Sequence, residues 1–299
     1  MIDLQQGHFK DISCVWLGNG LLRLAVTTGW GPRVLFCGWE DGENLFAETP
    51  DLTEWTPNGL FHFLGGHRLW YAPESLSTTY WPDTWAIDVQ TQEDGARFTA
   101  PADGMGIVKA LEVTLAADRP EVSVRHVLRN TSDTVVELAP WALTMLRLGG
   151  VALFPQPQMP ADLDGLLPNK HYVFWPYSDP ADSRLRLGRR MALLSGRAGA
   201  AHKFGFRSEH GWCAYWLQGT LFVIRFTSID GAAYPDRGCN VESYVKDRFL
   251  ELETLGPLTR LEPGEAIVHD ERWQLYADVP PIENEQDAVA AAAALGLWS

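Results

Sequence analysis

The chain has 299 residues, with 24 Lys and Arg against 38 Asp and Glu, a formal net charge of −14. A surplus of that sign leaves no basic excess to neutralise phosphates and argues against nucleic acid or an anionic membrane surface as a partner. At 46% hydrophobic and 21% charged residues the composition is that of a folded globular chain, not a disordered one.

In chain order, strand-like alternation dominates. A strand over 21–26 precedes a Gly29-Trp30-Gly31-Pro32 turn and a second strand over 34–37. Segments 85–91 and 97–99 form a hairpin around Glu93-Asp94-Gly95, and 108–115 and 122–128 form another, joined through Asp118-Arg119-Pro120. Further strands are expected over 135–146, 172–175, 203–206, 212–217, 220–226, 249–254 and 272–276. Turn residues punctuate these runs at short intervals, the signature of an all-β sandwich or barrel. One helix is expected over 288–295. Pro280-Pro281 stop the last strand, Glu283, Glu285 and Asp287 favour the helix N-terminus, and Gly296 follows its end. This helix should pack outside a sheet. With no internal repeat, linker or composition break, 1–299 reads as a single domain.

No apolar run reaches the ~18 residues of a membrane span, and the N-terminus has neither the basic nor the apolar region of a signal peptide. Cys14, Cys37, Cys213 and Cys239 are scattered, with no C-x-x-C pair. A reduced, cytoplasmic chain with neither metal nor cofactor is the expectation. G-x-S-x-G, Walker-type, dinucleotide and H-E-x-x-H motifs are absent. The unusual feature is thirteen tryptophans. Indoles fill β-sandwich cores, and they also stack on the C–H faces of sugars.

Two polar clusters stand out. In Gly65-Gly66-His67-Arg68-Leu69-Trp70-Tyr71-Ala72-Pro73-Glu74 the glycines let the backbone turn or approach a ligand closely. His67 can move protons near neutral pH, and Arg68 is a fixed cation. Glu74 either pairs with Arg68 as a structural clamp or serves a ligand. The second cluster, Pro235 to Glu242 with Asn240, leads into 249–254, where strand period puts Phe249, Glu251 and Glu253 on one face and Leu250, Leu252 and Thr254 on the other. Two carboxylates on one face are paired, functional or facing solvent. His126 alternates with Val122, Val124 and Leu128, the pattern of a core histidine. His171 lies beside Tyr172, Trp175 and Tyr177 in an aromatic segment.

Three stretches resemble the galactose-mutarotase-like, or aldose 1-epimerase-like, superfamily, and within it a family carrying a Gly-Gly-His-Arg-Leu-Trp-x-Ala-Pro-Glu motif. They are Leu17-Gly18-Asn19-Gly20-Leu21 through Arg33-Val34 to Asn44-Leu45, then Gly65 to Glu74, then Leu252-Glu253-Thr254 with Leu261-Glu262-Pro263-Gly264-Glu265. The resemblance implies a β-supersandwich of two large antiparallel sheets, with a C-terminal helix here, binding a small-molecule sugar or oligosaccharide. It gives Glu253 the role of general base on the anomeric hydroxyl, and Arg68 matches an arginine that holds the sugar. The Thr-Asn-His segment that carries the family's acid is matched by Leu138 to Thr144, which has no histidine. His67 is then the expected acid, with His126 next. Arg68, Glu74, Asn240, Glu242, His126 and His171 are expected around the substrate, with Trp70, Trp141 and Trp175 as stacking walls. The function implied is an aldose 1-epimerase-like isomerase. The alternatives are a non-catalytic carbohydrate-binding protein of the same fold, or a sugar lyase using Tyr71 beside Arg68. The sequence leaves the oligomeric state open.

Overall fold

The computed structural model describes residues 2–159 and 162–298. Its strands build two large antiparallel sheets. The first runs, edge to edge, Asp3–Phe9, Ile12–Gly18, Leu22–Thr27, Arg33–Trp39, His67–Ala72, Val136–Arg147, Phe249–Leu255, Val241–Val245, His202–Phe206 and Tyr172–Phe174, and Thr259–Leu261 pairs with the start of the long strand Val136–Arg147. The second runs Leu185–Leu187, Met191–Ser195, Val151–Pro155, Trp212–Leu217, Thr220–Phe226, Ala266–Tyr276, Glu121–Asn130, Ile107–Leu115, Gly95–Thr99 and Asp88–Thr91. A separate hairpin, Glu48–Thr56 with Gly59–Gly65, stands beside the first sheet.

The core lies between the two sheets. Leu24, Val26, Leu69, Phe204, Phe206, Leu250 and Leu252 from the first meet Phe98, Leu111, Val124, Phe222 and Trp273 from the second. Each strand sends alternate residues inward, so the first sheet's other face is free to carry a different chemistry. The C-terminal helix Glu285–Ala294 packs outside the second sheet. Ala288 and Ala292 sit in one apolar cluster with Leu193, Trp212 and Val223. Its start is fixed by a reciprocal capping box between Asn284 and Asp287. Among the described residues no helix is long and apolar enough to cross a membrane, and the four cysteines are buried free thiols.

The expected strands are present with their ends shifted by a few residues. The 172–175 and 85–91 segments are shorter than expected, and the last strand begins at Ala266, not 272. The polar cluster at 65–74 is built around a strand. His67–Ala72 is a fully buried central strand. It is entered through Gly65 and Gly66, with φ of +95° and +70°. A Cβ on Gly66 would lie 2.1 Å from the Val34 carbonyl oxygen, and one on Gly65 1.9 Å from that of Ala47. These two glycines let the hairpin strand turn directly into the sheet.

Gly66→Ala therefore combines left-handed strain with a backbone clash and should cost at least ~3 kcal/mol. Gly20→Ala, at φ +80° with open space around it, should cost only ~1–2 kcal/mol. Urea denaturation of the two variants checks the difference.

Candidate functional site

On its outward face the first sheet floors a cleft of about 580 Å³. Cross-strand register builds that floor in rows. Arg68, Leu143, Glu253, Glu242 and Gly205 are successive partners across five strands. The next row holds Met145, Glu251, Tyr244 and Lys203, and on the other side Trp70, Trp141 and Leu255 align. The hairpin contributes Leu52, Glu54 and Phe63, and loops add Glu74, Tyr80, Trp175 and Tyr177.

Two ionic groups occupy the floor. Arg68 Nη2 donates to Glu251 Oε1 at 3.0 Å, while its guanidinium lies 4.1 Å from the ring centre of Trp70. Its Nε and Nη1 have no protein partner. The ammonium of Lys203 sits 2.8 Å from Glu253 Oε2 and 2.8 Å from Glu242 Oε2. It lies 4.7 Å and 4.5 Å from the ring centres of Trp141 and Trp175, a cation–π contact on each. Trp141 Nε1 also donates to Glu253 Oε2 at 2.8 Å. Gly205 makes room for this arrangement: a Cβ there would fall 2.8 Å from Glu242 Cγ.

Burial sets the protonation of this group. It pushes the Glu253 carboxyl up to about 7, against the pull of Lys203. Burial also raises Glu242 well above the ordinary glutamate range, against the pull of Lys203 and with a further push from its carboxylate neighbours Glu253 and Asp236. Burial alone would lower Lys203, but the two glutamates hold it well above the ordinary lysine value. Neither glutamate is exposed. Lys203, which lines the cleft, is the group that reaches them.

The structure separates the expected site residues into groups. Glu253, Arg68, Glu74, Trp70, Trp141, Trp175 and Glu242 gather in or directly under the cleft. Arg68 pairs with Glu251 and not with Glu74, whose carboxylate instead accepts from the Tyr80 hydroxyl. His67 is next to Arg68 in a strand, so it points to the opposite face, into the sandwich. Its Nε2 is 2.7 Å from His126 Nε2 and its Nδ1 2.9 Å from Thr144 Oγ1. The expected Glu253–His67 pair across one cleft is not formed, and His126, equally buried, lies away from the cleft as well. Tyr71 shares that inner face and donates to Thr78 O and Asp103, so no Tyr71–Arg68 pair faces a ligand. His171 lines a different depression, with Tyr172, Arg207 and Glu209. Asn240 is a structural clamp, bonded to Ser208 N and O and to Ser228.

Lys203, Glu251, Tyr80 and Tyr177 were not among the expected ligand contacts. For Lys203 the available signal was its place in His202-Lys203-Phe204-Gly205-Phe206, one lysine and one glycine alternating with core aromatics.

No family model matches the chain, and no curated protein matches it in sequence. Solved structures do match. A candidate aldose 1-epimerase from Klebsiella pneumoniae superposes with a TM-score of 0.61 at 13% identity, over 100% of this chain and 88% of that one. A galactose mutarotase-like protein from Lactobacillus casei gives 0.52 at 9% identity, over 92% and 100%. A TPR-domain containing protein from Parabacteroides distasonis gives 0.61 at 13% identity, over 91% of this chain but 48% of that one, so the chain spans about half its length. The chain has the galactose mutarotase-like fold. At these identities the likeness fixes the fold, and any activity has to be argued from the cleft.

The coupling of Glu253 to Lys203 makes a titration prediction. The Glu253 carboxyl should titrate near pH 7 by side-chain carboxyl ¹³C NMR. Lys203→Met, which removes the cation that favours the carboxylate, should move that midpoint upward. A wild-type midpoint at the ordinary glutamate value would contradict the burial described here.

Proposed function

We propose that the cleft binds a sugar or a short oligosaccharide. The observation that carries this reading is the meeting, in one cavity, of aromatic walls and fixed polar groups of both signs. Trp70, Trp141, Trp175, Phe63, Tyr80 and Tyr177 surround Arg68, Glu251, Glu74 and Lys203. A pyranose offers C–H faces that pack on indole rings and hydroxyl edges that need both donors and acceptors. The Arg68 guanidinium and the Lys203 ammonium, both of which line the cleft, supply donors of that kind. Structural neighbours described as aldose 1-epimerase or galactose mutarotase-like proteins support the same ligand class.

A second reading, interconversion of sugar anomers, is favoured by the setting of Glu253: its carboxylate lies under the cleft against Lys203 and Trp141, and burial raises it to about 7, where a general base works best at neutral pH. In this reaction Glu253 takes the proton of the anomeric hydroxyl. The bond from the anomeric carbon to the ring oxygen breaks with its electron pair on that oxygen, which takes up a proton. The open aldehyde rotates and recloses by the reverse transfers, leaving both protein groups as they began. With His67 on the other side of the sheet, the proton donor in contact with Glu253 is Lys203. Each proton that Glu253 accepts removes negative charge that holds Lys203 protonated, so the ammonium becomes more acidic as the ring oxygen becomes more basic. The access Glu253 needs would come from a side-chain shift of Lys203 when sugar enters.

Two NMR measurements over a panel of neutral and acidic sugars test both readings. Trp175→Ala should weaken sugar binding at least ~10-fold with little change in melting temperature, because Trp175 is only half-buried. Glu253→Gln should retain binding but slow anomeric exchange by ~100-fold or more. Binding without protein-dependent exchange removes the second reading and leaves the first. No chemical-shift perturbation by any sugar overturns both.

A further inference from the structure

The interior of the sandwich holds a polar centre that the cleft does not use. His67 comes from the first sheet, and His126 and Glu271 from adjacent strands of the second. All three are buried, and a ring nitrogen of each histidine and a carboxylate oxygen lie within 4.8 Å of one another. The two Nε2 atoms face each other at 2.7 Å.

Each side chain is held from behind. His126 Nδ1 is 2.8 Å from the carbonyl oxygen of His269. A carbonyl only accepts, so this Nδ1 carries the proton, and the neutral ring presents a lone pair at Nε2. His67 Nδ1 rests on Thr144 Oγ1, a hydroxyl that either accepts or donates, so His67 can present the same lone pair. Glu271 accepts from the Thr254 hydroxyl and from Trp273 Nε1. Among the described ion pairs none supplies it with a cation. A carboxylate buried without a counter-charge is costly. Two imidazoles fixed through Nδ1, converging on a carboxylate fixed by two donors, is the support that metal ligands receive from their surroundings.

We propose that His67, His126 and Glu271 form a binding site for a divalent transition-metal ion, zinc above all. The donor set, two imidazole nitrogens and one carboxylate, suits zinc and its first-row neighbours and not calcium or magnesium, which take oxygen ligands. In the metal-free chain one proton lies on His67 Nε2, shared with His126, and Thr144 donates to His67 Nδ1. Metal binding moves that proton to Nδ1, and Thr144 becomes the acceptor, so the step releases no net proton. The 2.7 Å separation is that of an N–H···N bond. An ion at ~2.0–2.1 Å from each nitrogen spreads the rings by roughly half an ångström. Because the centre is enclosed by both sheets, the ion enters as the chain folds.

The test uses the whole chain, unfolded with chelator and refolded with and without zinc. One zinc per chain should survive gel filtration, and refolding with cobalt as a spectroscopic probe should give visible d–d absorption. ¹⁵N-labelled histidine provides a readout independent of any variant. The Nε2–H signal shared by His67 and His126 should be present without metal and vanish with zinc. His126→Gln should lose the metal, whereas His171→Gln, at an exposed histidine, should keep it. A wild-type chain that retains no zinc and keeps its Nε2–H signal in tenfold excess overturns the proposal. So does a His126→Gln chain that binds as much metal as the wild type. Both outcomes are read without sugar, so they stand apart from the fate of the cleft.

Discussion

One ammonium group holds the floor of the cleft together. Lys203 carries the only positive charge within ion-pair distance of Glu242 and Glu253 among the described residues, and both carboxyls are removed from water. It offsets part of the cost of burying two acids on paired strands, which burial would otherwise push still further toward the protonated form. Its position follows from register: Lys203 faces Tyr244, one row from Glu242, so its long side chain crosses diagonally to reach Glu242 and the neighbouring strand's Glu253. The indoles of Trp141 and Trp175 then close over the ammonium, which is how a charged centre comes to be lined by apolar walls.

The second constraint is the two-residue period of the strand. Arg68 and His67 are adjacent in sequence, yet one meets Glu251 under the cleft and the other meets His126 in the sandwich interior. The motif Gly66-His67-Arg68-Leu69-Trp70 therefore serves two centres, one on each face of the same sheet. The two faces meet again at the strand Phe249–Leu255. There Glu251 and Glu253 face the cleft, while Thr254 turns inward to bond His269 and Glu271. The absence of a histidine partner for Glu253 follows directly from this alternation.

Much of the fold was legible in the sequence because its strands alternate clearly and end at turn residues. The face assignment of Phe249, Glu251 and Glu253 was correct for the same reason. Some strands were missed, among them the short apolar strands Val151–Pro155 and Met191–Ser195. Asp3–Phe9 is a largely exposed polar edge, and His67–Ala72 carries His and Arg in what is otherwise a central apolar strand. Glu253, Arg68 and the three expected tryptophans were brought together by the resemblance to the galactose-mutarotase-like superfamily. Lys203 was not, because its role depends on the strand His202–Phe206 pairing beside Val241–Val245, a long-range choice that no local spacing records. Asn240 and His171 looked like ligand contacts from their neighbours in sequence. The structure gives the first to a backbone clamp and the second to another surface.

In the proposed complex a sugar lies against these indoles with its hydroxyls on the ionic floor. A crystal structure of the chain with a sugar selected for binding tests this most directly. The predicted result is a ring packed on Trp175 or Trp141, with hydroxyls bonded to Arg68 and Glu251 and the anomeric centre toward Lys203 and Glu253. A sugar bound on another surface, with the cleft filled only by water, would contradict it.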